Sequence, residues 1–365
     1  MKNGLLVCHP RSKVKNIGDY IQSLAQEQFY SHIDYYVERE KLSLFHSEEK
    51  TKVIMNAWFM WEPEHFPPSD DIEPLFISFH IVPKISERLL TKKTLSYLKK
   101  YEPIGTRDFG TKKLLERYGI TAYFTGCLTL TLGLKYKSQI RNNSIYFVDP
   151  FYEMCGMKRN LFNIVSYVKS FIYYIKYARI TNKIIPHFDN EYKTIFRYIS
   201  NKLEARLCAT TFYAYYHKIF SDELLHNAKF IKHDIAVKDG FDNEYFMQLA
   251  KQLMHEYSKA KLVITSRIHC GLPCLGVETP TIFVTADLLE GDEIRSGGRL
   301  AGLVELFHVI KWTSNGFISL SSSINELLHK GKIGLDSELY NKSDYVGLRD
   351  KMIKIVKSFL SNGNH

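Results

Sequence analysis

The stretch from Val263 to Val284 constrains the fold more than any other part of the chain. Val263 to Thr265 is a short apolar and β-branched run, typical of a buried strand, and a second such run ends at Val284. Between them, Pro273 and Gly276 bracket a short helix, with proline in its first turn and glycine just past its end. Strand, helix and strand in this order predict a parallel βαβ unit of an α/β protein.

Charged side chains occupy the corner between the first strand and the helix. Ligands of open α/β sheets bind beyond the carboxyl ends of the strands, where helix amino-termini favour anions. Arg267 can form a bidentate fork to a phosphate or carboxylate, and Ser266 lies beside it. The same anion would keep His269 protonated as a general acid. The alternatives are an interdomain ion pair for Arg267 and a hydrogen bond at the helix start for His269.

Three ordered segments resemble the polysaccharide pyruvyl transferase family. They are Asn16-Ile17-Gly18-Asp19 at the first helix, Gly105-Thr106-Arg107-Asp108 before a helix that ends at Gly119, and Thr265-Ser266-Arg267-Ile268-His269 followed by Gly276 to Pro280. The resemblance implies transfer of a pyruvyl ketal from phosphoenolpyruvate to a sugar of a capsular or exopolysaccharide, with release of phosphate. It also implies a glycosyltransferase-B-like architecture and a lipid-linked acceptor at the cytoplasmic face of the membrane.

Length and composition favour two units in this chain. Its 365 residues, 45% of them hydrophobic, suffice for two medium cores. We predict two Rossmann-like domains with mostly parallel sheets. The predicted division is 1–153 (acceptor side), a helical crossover at 154–190, 191–345 (donor side) and an amphipathic helix at 346–365.

Alternating patterns place the individual elements. Predicted strands are Leu5–Cys8, Lys52–Met60, Leu75–Val82, Ile104–Asp108, Ile120–Phe124, Ile145–Val148, Ala228–His233 and Lys261–Thr265. Predicted helices begin at Asn16 and span Thr111–Tyr118, Glu244–Tyr257 and Leu348–Leu360.

Further candidates lie near other strand ends. His233, preceded by Lys232, would face the same crevice if its strand and that of Val263 are neighbours, so we predict a second catalytic candidate and a donor-binding lysine. Arg295 is also a predicted donor-binding residue. It follows an acidic loop whose carboxylates could orient or deprotonate the acceptor hydroxyl, although such a loop is usually only solvated.

Four residues in the first half are predicted to bind the acceptor. Asn16 and Asp19 lie where the first loop becomes a helix, and the Asp19 carboxylate could accept hydrogen bonds from sugar hydroxyls. A helix cap is the other interpretation. Arg107 and Asp108 precede a second helix, where they could equally form an ion pair at the helix entry.

Missing motifs narrow the chemistry. The chain has no G-x-x-x-x-G-K-[ST], G-x-G-x-x-G, H-E-x-x-H or G-x-S-x-G motif, which argues against NTP hydrolysis, dinucleotide redox chemistry and serine hydrolysis. Its six cysteines form no C-x-x-C pair and no D-x-D motif occurs, so we expect no cofactor and no metal, although Asp70, Asp71 and Asp287 remain as carboxylates that could bind one. Free thiols, and no signal-peptide or transmembrane run, lead us to expect a cytoplasmic protein.

The charge balance indicates anionic partners. With 49 Lys and Arg against 39 Asp and Glu, the net charge is +10, which suits phosphates, an anionic membrane or nucleic acid. The stretch Met154–His187 has six Lys or Arg and no acidic residue. It could lie on an anionic bilayer, but apolar and Tyr residues on nearly all sides favour a buried linker helix.

Two other functions stay open from the sequence. One is a glycosyltransferase of the same architecture that uses a nucleotide sugar. The other is a non-catalytic basic protein that binds a membrane or nucleic acid, but the sequence shows no nucleic-acid module, so we expect no nucleic-acid partner.

Overall fold

The computed structural model describes residues 1–8, 14–57, 61–151, 164–182, 202–237, 241–287, 298–313 and 315–361. The strands are β1 (Lys2–Val7), β2 (Val14–Asn16), β3 (Tyr35–Glu38), β4 (Thr51–Ile54), β5 (Ile72–Leu75), β6 (Ile104–Thr106), β7 (Ala122–Phe124), β8 (Ile145–Val148), β9 (Lys229–Ile231), β10 (Asp234–Ala236), β11 (Leu262–Thr265), β12 (Thr281–Ala286), β13 (His308–Thr313) and β14 (Gly316–Ser319). The helices are α1 (Ile17–Glu27), α2 (Ser86–Leu89), α3 (Lys92–Lys99), α4 (Phe109–Arg117), α5 (Gly133–Tyr136), α6 (Ile164–Thr181), α7 (Lys202–Tyr216), α8 (Asp222–Asn227), α9 (Asn243–Lys259), α10 (Ile268–Gly276), α11 (Ser322–Lys330) and α12 (Asp344–Ser361).

Two larger sheets carry the fold, and most of their strand pairs are parallel. The first has the order β3-β1-β4-β5, with every pair parallel. The second has the order β14-β13-β12-β11-β8-β9, in which only the pair of β13 with β14 is antiparallel. The prediction of an α/β fold with mostly parallel sheets is therefore confirmed. The assignment to two Rossmann-like, glycosyltransferase-B-like domains and the domain limits stay predictions.

Successive side chains along a strand point to opposite faces of its sheet, and in this fold they enter three layered cores. Leu5 and Val7 of β1 join a central core together with α1, α9, α10 and one face of the six-stranded sheet, whereas Leu6 points to an outer core on the other side of β1. Ile145 and Phe147 of β8 enter a third core, with α7 and α8, on the far face of the second sheet. Strands buried on both faces explain why β8, β11 and β12 are almost continuously apolar.

A short antiparallel ribbon joins the two halves near the ends of both sheets. β2, which leads into α1, pairs with β10, and Asn16 lies opposite Asp234. The backbone N–H of Ile17 also donates to the carbonyl of His233. The start of α1 is thus attached directly to the loop that follows β9.

The two helices at the junction begin for different reasons. The Asn16 side chain caps α1 by accepting from the N–H of Gly18, and Ile17, Ile21 and Leu24 are buried on one face as their spacing predicts. α10 begins at Ile268, which makes Pro273 its sixth residue. The predicted place of this proline in the first turn was wrong, because the helix starts at once after the strand corner.

The sequence misplaced several strands. β5 ends at Leu75, so the predicted strand Leu75–Val82 is wrong; beyond it Ser78 has a positive φ of 56°, and Phe79 forms an isolated bridge with Thr106. β5 itself contains Pro74, which is tolerated because β5 is an edge strand. β8, assigned by sequence to the amino-terminal domain, pairs with β11 and β9 in the second sheet.

Helix α6 lies within the predicted crossover, and the interpretation of a buried linker was wrong for it. One face packs on α7, where Thr211 donates to Ser170 over 2.9 Å and the ring of Tyr177 lies 5.3 Å from that of Tyr213. The opposite face is open. Its exposed apolar side chains are Ile164, Val165, Val168, Phe171, Ile172, Ile175 and Ile180. The rest of the predicted crossover, including residues 154–163, lies outside the described residues.

The last helix returns to the first sheet. Lys52, on β4, is buried and donates to the carbonyls of Phe359 and Leu360 near the end of α12, at 2.9 and 2.8 Å. Asn3 of β1 is the partner of Lys52 in the sheet. Across the part of the chain that the structure describes, we find no helix with the length and hydropathy needed to cross a membrane.

Candidate active site

The starts of α1 and α10 touch, and this contact defines the centre of the candidate site. A Cβ added to Gly18 would lie 2.8 Å from the Cβ of His269 and 3.3 Å from its Nδ1. Such distances are shorter than side chains tolerate, so only glycine permits this approach. Because Gly18 follows the strand β2 and His269 follows β11, the contact brings two predicted segments together.

His269 lies among cationic groups. It is partly buried, and its Nε2 is buried without a hydrogen-bond partner within the described part of the chain. Burial lowers the pKa of His269 well below its usual value, and the charges of Arg107 and Arg39 lower it further. The imidazole is therefore neutral at neutral pH, in an environment that favours an anion.

Arg267 lies between two carboxylates. Its Nε donates to Asp149 at 2.9 Å and its Nη2 donates to Asp234 at 3.0 Å. Burial would lower the pKa of Arg267, but the charges of Asp149 and Asp234 outweigh burial and raise it. Two nitrogens of the guanidinium that the sequence predicted to bind an anion are thus already bound to carboxylates. For Nη1 we find no hydrogen-bond partner among residues with a described position, and the side chain stays about one-third exposed.

Asp149 connects the elements around this arginine. It follows β8 and adopts a φ of 41°, a left-handed conformation that aspartate tolerates better than most residues. The hydroxyl of Ser266 donates to its carbonyl at 2.6 Å, and the N–H of His233 donates to its carboxylate at 3.0 Å. β9 and β11 are not neighbours, since β8 lies between them. Asp149 nevertheless brings His233 and Arg267 to one carboxylate.

His233 is fully buried behind the site. Its Nε2 lies 2.9 Å from the hydroxyl of Tyr257, on α9. Lys232 precedes it in the loop between β9 and β10 and is partly buried. The position of Arg295 lies outside the described residues, as do those of Glu290, Asp292 and Glu293.

Arg107 and Asp108 form a buried pair at the start of α4. Asp108 caps the helix by accepting from the N–H of Thr111 at 2.8 Å, and Arg107 Nε lies 3.3 Å from its other oxygen. That oxygen also lies 2.6 Å from Nδ1 of His80. Burial, with the charge of Arg107, lowers the pKa of His80 to about 4, so this ring is neutral beside Asp108, and its Nδ1 also lies 3.1 Å from the hydroxyl of Thr111. The main-chain carbonyl of Arg299 accepts from Arg107.

Asp19 has a buried partner that the sequence did not identify. Arg39, which follows β3, donates to the Asp19 carboxylate at 3.2 Å, and its Nε lies 3.4 Å from Glu40. Asn16 is used as the cap of α1. Asp19 is therefore an ion-paired residue of the first turn of α1, beside the contact of Gly18 with His269.

Four functional candidates were missed: Arg39, His80, Asp149 and Asp234. Asp149 directly follows a correctly predicted strand, so the rule that selected Arg267 could have found it. Arg39 follows β3, which was not predicted. Within the described residues, no group of three or more His, Cys, Asp or Glu side chains is arranged to hold a metal ion.

Comparison with known proteins gives one match. A model of the polysaccharide pyruvyl transferase family matches residues 16–287, which is more than half of the chain. The matched region begins at the cap of α1 and ends directly after β12, and so contains the site residues described above except Arg295 and Arg299. No curated protein and no solved structure gives a significant match.

Proposed function

The chain belongs to the polysaccharide pyruvyl transferase family, and from this we propose that it transfers pyruvate from phosphoenolpyruvate to two hydroxyls of a sugar as a cyclic ketal. Phosphate is the other product. The acceptor is a unit of a capsular or exopolysaccharide carried on a lipid. The observation that supports this best is the group of cationic residues around the buried nitrogen of His269.

Phosphoenolpyruvate, the pyruvyl donor, supplies the negative charge that this site lacks. Phosphoenolpyruvate carries a phosphate and a carboxylate, which would lie near Arg107 and His269. Arg267 offers Nη1 to the donor while Asp149 and Asp234 hold its other nitrogens. Negative charge beside His269 raises the pKa of its imidazole, so donor binding itself produces the protonated acid.

In the proposed reaction, each proton that is transferred has a defined source and a defined acceptor. His269 protonates the methylene carbon of phosphoenolpyruvate, and the adjacent carbon becomes oxocarbenium-like. One sugar hydroxyl attacks that carbon, and its proton restores the imidazolium. The C–O bond to phosphate breaks, the second hydroxyl closes the ketal, and its proton leaves with the phosphate. Asp19 is placed to accept a hydrogen bond from the acceptor, and His233 is the alternative acid.

The test is donor consumption with defined acceptors. Purified protein is incubated with phosphoenolpyruvate and a panel of methyl hexosides, and released phosphate and the pyruvylated sugar are measured. We expect phosphate release that depends on the sugar. Sugar transfer from a nucleotide sugar, without consumption of phosphoenolpyruvate, would instead support the glycosyltransferase alternative, and no turnover with either donor would support a binding protein.

We also propose peripheral contact of α6 with an anionic membrane. Its exposed face is apolar, Lys169, Lys176 and Arg179 are its charged residues, and no acidic residue occurs between Ile164 and Asn182. Helices of this composition lie in the interface of anionic bilayers. The contact would keep the site close to a lipid-linked acceptor.

A further inference from the structure

A small polar cavity lies at the carboxyl end of the first sheet, beside the site. It has about 190 Å³ of empty space and is lined by residues that follow β1, β3 and β4 and by one face of α1. Asp19 belongs to this lining and directly follows Gly18, which packs on His269. The cavity is therefore continuous with the part of α1 that touches the proposed acid.

Amide side chains build the floor of the cavity. Gln22 donates to the carbonyl of Asn56 at 3.3 Å, and the Asn56 amide donates back to the carbonyl of Gln22 at 3.1 Å. Gln26 donates to the Asn56 side chain and accepts from the N–H of Leu6. These amides are buried and hold one another in fixed orientations.

Two buried polar atoms in this lining make no hydrogen bond with any described residue. They are Oε1 of Gln22, in a side chain that is 3% exposed, and Nε of Arg39, which is 4% exposed and lies 3.4 Å from Glu40 in an ion pair. Because Nε2 of Gln22 is committed to Asn56, its oxygen is left as an acceptor. A buried polar atom without a partner is costly, and such atoms need an explanation in the site they face.

The chemistry of the cavity indicates its occupant. Asp19 and Arg39 neutralise each other, so the cavity does not favour a net charge. It offers an acceptor on Gln22, and a neutral hydroxyl can donate to it. The 190 Å³ of empty space includes open solvent at the mouth, and the enclosed part has room for about one water-sized group, so a single hydroxyl of a sugar fits and a whole sugar does not.

We propose that this cavity binds one hydroxyl-bearing arm of the acceptor sugar and thereby selects which hydroxyl pair faces His269. The proposal rests on the proposed function, because it assigns the acceptor subsite of that reaction. Gln22 is the specificity-determining residue, and the pair of Asp19 with Arg39 fixes the orientation of the arm. The ligand class is a neutral polyol.

The experiment measures sugar binding without turnover. Methyl hexosides and their monodeoxy derivatives are titrated against the full-length protein by calorimetry or ligand-observed NMR. For the hexoside that binds, we expect one deoxy position to lose at least about tenfold in affinity. In Gln22→Met the parent sugar should bind about tenfold more weakly than in the unaltered protein. That deoxy derivative should bind the variant no more weakly than the parent sugar does. Phosphoenolpyruvate affinity should be unchanged in this variant.

Two further variants keep the result interpretable. Gln28→Met makes the same change at the other end of α1, at a glutamine whose oxygen also lacks a partner but which does not line the cavity; it should bind sugar like the unaltered protein. Ala57→Val narrows the cavity without touching the amides and should weaken the parent sugar even if Gln22→Met fails to fold.

The outcomes separate this inference from the proposed function. If removal of that hydroxyl weakens sugar binding equally in Gln22→Met and in the unaltered protein, the inference is overturned. It is also overturned if the protein binds phosphoenolpyruvate but no methyl hexoside. If sugar binding depends on Gln22 while phosphoenolpyruvate is neither bound nor consumed, the cavity assignment stands and the pyruvyl transfer fails.

Discussion

At the scale of single residues, two opposing effects act on the pKa of His269. Burial and the surrounding cations lower the pKa of its imidazole, whereas a bound donor would supply the opposite charge. A general acid that is neutral until its substrate arrives avoids the cost of an isolated buried charge. Two predictions follow from this balance.

Replacing His269 by Asn should reduce kcat about a hundredfold, because Asn can accept and donate hydrogen bonds but cannot deliver a proton to carbon. Phosphoenolpyruvate affinity should change little, and steady-state kinetics at varied donor concentration measure both parameters. Weaker donor binding with normal turnover at saturation would make His269 a binding residue and His233 the better candidate for the acid.

Donor binding should take up a proton near neutral pH. The pKa of free His269 is depressed, so its ring is neutral at pH 7, and it becomes protonated when the bound anion raises that pKa. Uptake should therefore approach one proton between the two pKa values and vanish below the lower one, where the ring is already charged. Calorimetry in buffers of different ionisation enthalpy measures it, and His269→Asn is the control in which the uptake should disappear.

The sequence identified which residues lie at the site better than it identified their partners. His269, Arg267 and Asp19 could be found because each follows a strand or opens a helix at a recognisable motif. Their partners Asp149 and Arg39 are 118 and 20 residues away in the chain, and their pairing depends on the order of strands in the sheets. A single sequence does not specify that order.

At the scale of elements, the contact between the starts of α1 and α10 depends on one missing side chain. Gly18→Ala would place a methyl group 2.8 Å from His269 Cβ. Overpacking of this kind costs about 1–3 kcal/mol, more than the roughly 1 kcal/mol that alanine gains over glycine within a helix. We expect a lower free energy of unfolding by denaturant and a displaced His269, with kcat reduced about tenfold or more.

Gly347→Ala is the matched control for that variant. Gly347 lies within α12, and a Cβ there would meet nothing within 4 Å. This variant should be as stable as the unaltered protein or more so, with unchanged kcat. Equal behaviour of the two variants would show that the contact of α1 with α10 does not position His269.

Helix α6 should bind anionic vesicles at low ionic strength. Each Lys or Arg near such a surface contributes about 1 kcal/mol, and salt screens this attraction. Lys169→Glu combined with Lys176→Glu should weaken sedimentation with phosphatidylserine-containing vesicles about tenfold or more. Lys99→Glu with Lys100→Glu makes the same change in net charge at exposed positions at the end of α3 and should bind normally. No vesicle binding at low salt by the unaltered protein would contradict the proposal.

Elements with strong local signals were predicted and those defined by their neighbours were not. β8, β11 and α9 carry continuous apolar runs or a clear helical spacing, and their predicted limits lie within two residues of those observed. β3 and β5 are no shorter than β8 and β11, but each contains a glutamate, and β5 also contains Pro74. Their extended form is stabilised by pairing with β1 and β4, which local sequence does not reveal.

At the scale of the whole molecule, the site is built from both sheets. Asp19 and Arg39 come from the first sheet and α1, and Arg267 and Asp149 come from the second. The central core lies between the sheets and is shared by them. A ligand at this junction should therefore stabilise both halves of the chain together.

Saturating phosphoenolpyruvate, at about a hundred times its Kd, should raise the free energy of unfolding by about 2.7 kcal/mol. Hydrogen exchange should slow in β1 and α1 as well as in β11 and α10, because both pairs contribute to the site. Sulfate at equal ionic strength is the control for nonspecific screening. Protection confined to one sheet would mean that the donor contacts only that half.

The lysine at position 52 also makes the chain nearly circular. It lies opposite Asn3 in the sheet and donates to the carbonyl of Leu360, so one lysine links two residues 357 positions apart in sequence. A short flexible linker could join the start of β1 to the end of α12 here, and new termini could then be opened in an exposed turn such as the one at Gly119. The order in which segments are synthesised would change while every layer of the fold keeps its neighbours.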